Sequence, residues 1–281
     1  MTTVAGTDID RSPAPQPLLW IVPLTLIWTL LITWRPAITS SAVPMTTARL
    51  TVHGMIALGL WLALERTDLS SEQRRSTWLS IMAPLTLWLA VAWSASIKGV
   101  FAVAMNVPLL PIAIIGPVII GAPLLMLSKR VGQLLDAMPA GWLVGIQAYR
   151  VFGAAFLAAA LRGTLPGLFG YPAGIGDALT GMFALPVALA IAKGTAEGRR
   201  AAIIWNLFGL ADLAIAIAMG MITSPGPLQL VASSVPSIGS AGYPEILTPA
   251  FAVPSSILLH FLSLRLLARR SAHPTLEAIA K

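Results

Sequence analysis

The sequence predicts an all-α fold, a polytopic bundle of about eight transmembrane helices, and three observations predict it. Hydrophobic residues fill 57% of the 281 positions and charged residues only 10%, against about 25% charged in a soluble domain. The mean hydropathy is +0.82. The apolar residues fall in continuous runs, not in the alternation of barrel strands. The runs approach the ~20 residues that, at ~1.5 Å each, cross a hydrocarbon core of ~30 Å.

Taken in order, residues 1–17 carry Asp8, Asp10 and three prolines without the basic start and small-residue cleavage site of a signal peptide. They read as a short disordered cytoplasmic tail. The first run is Leu18–Thr33. The second, Leu50–Leu64, is short and borrows Thr46–Arg49; the third is Trp78–Ile97. The fourth, Asn106–Leu127, holds Pro108, Pro111, Pro117 and Pro123, which free carbonyls one turn back and bend a helix. Broken helices of this kind form midplane sites in several transporter folds. The remaining runs are Gly141–Leu161, Ala173–Ala192, Ala201–Met221 and Ile246–Leu267, and residues 268–281 read as a basic cytoplasmic tail. Residues 18–267 thus form a single transmembrane domain.

Charge supports the layout independently. With eight spans, thirteen of the 18 Lys and Arg fall on the side of the termini, from Arg11 through Arg66, Arg74 and Arg75 to Lys281. Four fall opposite: Arg35, Arg49, Lys98 and Arg162. The positive-inside rule then places both termini in the cytoplasm. The net charge of +7 reads as basic cytoplasmic loops, with no nucleic-acid partner implied. Trp20, Trp34, Trp61, Trp78, Trp142 and Trp205 fall near the predicted span ends, where amphipathic rings suit the headgroup region. Two outer loops, Gly163–Gly174 and Thr223–Glu245, are rich in Gly and Pro yet keep apolar residues. Such loops either fold over the outer mouth of the bundle, re-entering where protein covers the backbone, or serve as tight interfacial connectors.

No cysteine is present, which excludes disulfides, thiolate metal sites and cysteine nucleophiles. No P-loop, G-x-S-x-G or H-E-x-x-H string occurs. His53 and His260 fall at different depths, which is unsuitable for a bis-histidine haem, and both read as packing residues, with His273 in the tail. Lys98 ends a span, whereas a retinal pigment needs a midplane lysine. No cofactor or metal follows from the sequence.

Apart from Arg265 at the cytoplasmic end of the last run, three formally charged residues fall within the runs: Arg150, Asp177 and Asp212. Each costs roughly 2.5–3.5 kcal/mol at a helix centre on insertion scales, so each should face the interior with a partner. Arg150 and Asp212 sit about 13 and 16 Å into their spans from the same end and can meet near the midplane; Asp177 lies in the outer third. One cation against two anions leaves an odd negative charge, unless a proton or cation binds. Helical spacing places Gln147, Arg150 and Gly153 on one face with Tyr149 adjacent, Gly174, Asp177 and Gly181 on another, and Gly209 and Asp212 on a third beside Asn206. The candidate ligand- or ion-binding set is therefore Gln147, Tyr149, Arg150, Asp177, Asn206 and Asp212. Gly153, Gly174, Gly176, Gly181 and Gly209 would let helices approach closely. The opposing reading is an Arg–Asp pair that locks the helices and binds nothing. Gly174-Ile175-Gly176-Asp177 also matches the G-x-G-D string of membrane aspartyl proteases. That string begins near the cytosolic end of its helix in those enzymes and at the outer end here.

Tyr149-Arg150-x-x-Gly153, Leu165-Pro166-x-x-Phe169-x-x-Pro172-Ala173-Gly174-x-Gly176-Asp177-x-x-x-Gly181 and Trp205-Asn206-x-x-Gly209-x-x-Asp212 resemble a group of uncharacterised bacterial multi-pass membrane proteins. The resemblance spans Gly141–Leu267 and implies residence in the bacterial inner membrane, without implying an activity. A carrier or permease for a small solute or ion leads, its partners being the bilayer and a small solute or cation. A membrane-embedded enzyme acting on lipid or isoprenoid, and a non-catalytic scaffold or sensor, are the alternatives.

Overall fold

A computed structural model describes residues 42–103, 109–235, 237 and 242–272. The expected tail 1–17 and first span Leu18–Thr33 lie outside the described residues, as do Trp20, Trp34, Pro108 and the end of the basic tail. Helices are α1 (Ala42–Glu65), α2 (Ser71–Ile97), α3 (Val100–Val103), α4 (Leu109–Leu127) and α5 (Lys129–Ala137). They continue as α6 (Trp142–Leu161), α7 (Gly167–Ala192), α8 (Ala196–Thr223) and α9 (Val253–Ala272). No strand occurs among the described residues.

Six helices are long and apolar enough to cross a membrane: α2, α4, α6, α7, α8 and the segment Thr248–Ser271 that contains α9. The apolar part of α1, Leu50–Glu65, is shorter, and α1 reaches back to Ala42, as the short second run required. Of the eight expected spans, the first lies outside the described residues, one corresponds to the shorter α1, and six correspond to helices of spanning length.

Local signals set the helix ends. Ser70 accepts the Gln73 amide at 3.3 Å while the Gln73 side chain accepts the Ser70 amide at 3.1 Å, a reciprocal cap that starts α2. Ser128 and Thr195 cap α5 and α8 through the amides of Val131 and Gly198. Pro166 sits before α7, where a missing N–H costs nothing. That early start corrects the first loop expectation: most of Gly163–Gly174 is the first two turns of α7, because Gly170 and Gly174 can press against Ala160 and the Leu157 backbone. The second loop folds back on α8. Leu230 and Val231 both donate backbone N–H groups to the Ile222 carbonyl, and the Thr223 and Ser237 hydroxyls lie 2.7 Å apart. The helix α9 runs on to Ala272, five residues into the expected basic tail. There Arg265 donates to the carbonyls of Leu125 and Ser128 and Arg270 to that of Met138, tying α9 to the ends of α4 and α5.

Three apolar clusters lie in the bundle, one of them Val144, Ala148, Ala184, Ala188 and Trp205 beside the polar centre, and the other two towards its ends. Of these two, one gathers Leu64, Leu134, Leu135, Leu143, Leu266 and Leu267 at the end holding α5. The other gathers Ala92, Ala113, Leu247 and Ala250 towards the opposite end. Trp88 braces the second by donating to the Ala250 carbonyl at 3.0 Å, within the single π turn Thr248–Ala252 that leads into α9. Between these end clusters, α6 to α9 enclose the polar centre.

Candidate functional site

The centre begins with an irregularity in α6. Residues Ile146–Gly153 form a 3₁₀ segment between two α-helical pieces. Mid-helix 3₁₀ turns are uncommon because their hydrogen bonds are poorer, and they accompany hinges or locally constrained sequence. Here the segment delivers Arg150, 3% exposed, into the space among α7, α8 and α9.

The Arg150 guanidinium makes four hydrogen bonds and one further close ion contact. Nε donates to Asp177 Oδ1 at 2.7 Å, and Nη2 lies 2.6 Å from the same oxygen. Nη2 also donates to Asp212 Oδ2. Nη1 donates to the Gly209 carbonyl at 3.3 Å and contacts His260 Nε2 at 3.0 Å. The network fixes the histidine tautomer. The Ala202 carbonyl can only accept, so the end of Asn206 that lies 2.7 Å from it is Nδ2. Asn206 Oδ1 therefore faces His260 Nδ1 at 2.9 Å and accepts its proton. His260 Nε2 is left as a lone pair, and accepts from Arg150. Asn206 Nδ2 also donates to Ser263 at 3.0 Å, carrying the polar chain one turn further along α9.

Glycines make the room. The Cβ of any larger residue at Gly153 would overlap the Asp177 carboxylate, at Gly176 the Asp212 carboxylate, and at Gly209 the His260 ring. Each polar side chain thus fits a notch in the facing element. Gly174 and Gly181 face the α6 backbone at Leu157 and Val151. The carboxylate oxygens not bonded to Arg150, Asp177 Oδ2 and Asp212 Oδ1, lie in two of these notches.

The structure brings Arg150, Asp177, Asp212 and Asn206 together. Tyr149 turns aside to Ser256 on α9, with the hydroxyl oxygens 2.5 Å apart. Gln147 is fully buried, one turn along the segment from Arg150. Asp177, expected in the outer third, still reaches the guanidinium because Arg150 is long and Asp177 lies opposite Gly153, three residues beyond it. Two readings need correction. His260, read as a packing residue, is a member of the centre. Trp205, read as interfacial, is buried in mid-helix, donates to the Thr180 carbonyl at 2.9 Å and lies 4.9 Å from the His260 ring. The missed signal was the donor count of Arg150: two aspartates rarely satisfy five N–H groups alone, and the last span offered few other polar side chains.

Both carboxylates are committed to a guanidinium rather than facing each other across a shared proton and water, so the geometry is not that of an aspartyl protease dyad. With His260 neutral, the centre holds one positive and two negative formal charges.

Six helices long and apolar enough to cross a membrane, around such a centre, match the class of helical integral membrane proteins. Residues 107–268, more than half of the chain, match the family described as "Domain of unknown function (DUF8737)", and the chain belongs to that family. No curated protein and no solved structure matches the chain. The expected resemblance to an uncharacterised family thus meets a family of unknown function, and every member of the centre falls inside the matched residues.

Proposed function

We propose that the protein is a carrier or permease for a small solute or ion in the bacterial inner membrane, with the Arg150–Asp177–Asp212 centre as its proton-binding site. One observation carries this reading: the buried Asp212 and the partly buried Asp177 share a single guanidinium, which also bonds the Gly209 carbonyl and His260. A net negative charge in a membrane interior is costly, and one proton cancels it. The free oxygens lie against glycines in spaces that a Cβ would fill, which suits a proton better than a hydrated ion. Asp177, whose side chain is 15% exposed against 5% for Asp212, is the carboxylate nearer to a surface. Both termini are taken as cytoplasmic on the charge asymmetry.

The test is proton movement in liposomes containing the pure protein and a trapped pH dye, challenged with a broad panel of solutes. Solute-dependent proton flux is expected, lost in Asp177→Asn and retained in Asp136→Asn, whose carboxylate pairs with Arg269 at the surface. Absence of any solute or proton flux from the wild type would sink the reading.

A further inference from the structure

One turn from the ionic centre, towards the end of the bundle that holds Gly141, Ala192 and Ala196, lies a second polar layer. Side chains three apart eclipse in a 3₁₀ segment, so Gln147 lies beneath Arg150 on the same face of α6. On α7, which runs the opposite way, Thr180 is three residues beyond Asp177. On α8, Trp205 and Asn206 precede Gly209 by about a turn. Asn206 is fully engaged with Ala202, Ser263 and His260, and the Trp205 indole with the Thr180 carbonyl.

Gln147 and Thr180 differ from these neighbours. Both residues are 0% exposed. Neither end of the Gln147 carboxamide, nor the Thr180 hydroxyl, has a hydrogen-bonding partner among the described residues. Thr180 could fold its hydroxyl back onto the carbonyl four residues earlier. Thr223, Ser224, Ser255 and Ser271 all do so in this molecule; Thr180 does not. Buried polar groups are nearly always bonded, because an orphan loses its hydration with nothing in return. These two supply donors and acceptors without charge, and the nearby guanidinium is held by Asp177, Asp212, Gly209 and His260.

We infer that Gln147 and Thr180 bind an uncharged group that both donates and accepts hydrogen bonds: the hydroxyl or amide of a small solute, or water. The layer names the solute class for the carrier reading and rests on that reading only for the word solute. An anionic solute is disfavoured, since Arg150 is committed to the protein.

The experiment compares purified wild type, Gln147→Met and Thr180→Val, both near-isosteric and apolar. If the layer is occupied, each substitution removes a bonded partner and lowers Tm by about 2–4 °C or more. If the two groups are dry orphans, each substitution relieves them and Tm rises, which overturns the inference. Mass spectrometry of solvent extracts then identifies the source. A small hydroxylated or amide solute retained by wild type and depleted in both variants assigns a solute. Water is assigned if no solute is found and X-ray-generated hydroxyl radicals label Trp205 less in the variants than in wild type. A fall in Tm with neither signature assigns the loss to packing and also overturns the inference. None of these readouts uses transport, so absent flux would end the carrier reading and leave the layer standing, and a raised Tm would do the reverse.

Discussion

At the scale of single residues, stability turns on the unequal numbers of charges. Removing one partner of a buried ion pair costs about 3–5 kcal/mol when it strands the other. Arg150→Met strands two carboxylates, while Asp212→Asn leaves the guanidinium with Asp177. Unfolding in detergent should therefore show Arg150→Met losing about 3–5 kcal/mol and Asp212→Asn distinctly less. The double mutant should recover part of the Arg150→Met loss, a coupling that the mutant cycle isolates. Equal losses from both single variants would mean that Asp212 acts in folding through something other than Arg150. The meeting of Arg150 and Asp212 was legible in the sequence because helical rise converts residue count directly into depth. His260 was not, because a single imidazole among apolar residues has the same pattern whether it packs or bonds. Its role follows only once Gly209, Asn206 and Arg150 are placed around it.

At the scale of elements, small residues decide how closely the helices approach. The motif glycines were legible as spacing, but their individual partners were not. Only the structure shows Gly153 seating Asp177, Gly176 seating Asp212 and Gly209 seating His260. The 3₁₀ segment of α6 was hidden for a different reason: Ile146–Gly153 has no composition that separates a tight helix from an α-helix. Gly176→Ala should cost about 1–3 kcal/mol by overpacking, because the new methyl competes with the Asp212 carboxylate. Gly116 on α4 has nothing within 4 Å of an added Cβ. Gly116→Ala should be neutral or stabilise by about 0.5–1 kcal/mol through helix propensity. Thermal unfolding of the two variants side by side reads the contrast, and equal effects would remove the notch from the account of Asp212.

At the scale of the whole molecule, apolar run length made the helical class legible, whereas the span boundaries were less so. The run at Ala173 begins six residues earlier as α7, and the last extends past its basic residues to Ala272. Glycine and arginine are averaged as breaks in hydropathy, although here the motif glycines pack inside helices and Arg265 and Arg270 bond carbonyls of neighbouring elements. The cysteine-free chain permits a direct test of how α7 sits. Thr164 lies exposed between α6 and α7, and Glu197 lies exposed near the start of α8. A 26-residue helix separates these positions, and it is long enough at ~1.5 Å per residue to cross the ~30 Å core. In intact cells, a membrane-impermeant maleimide should label Thr164→Cys, and label Glu197→Cys only after the membrane is opened. Labelling of both from outside would mean that α7 does not cross. The reversed pattern would keep the crossing and invert the orientation, so that Asp177 would face the cytoplasmic side of the centre and the proposed proton entry would reverse with it.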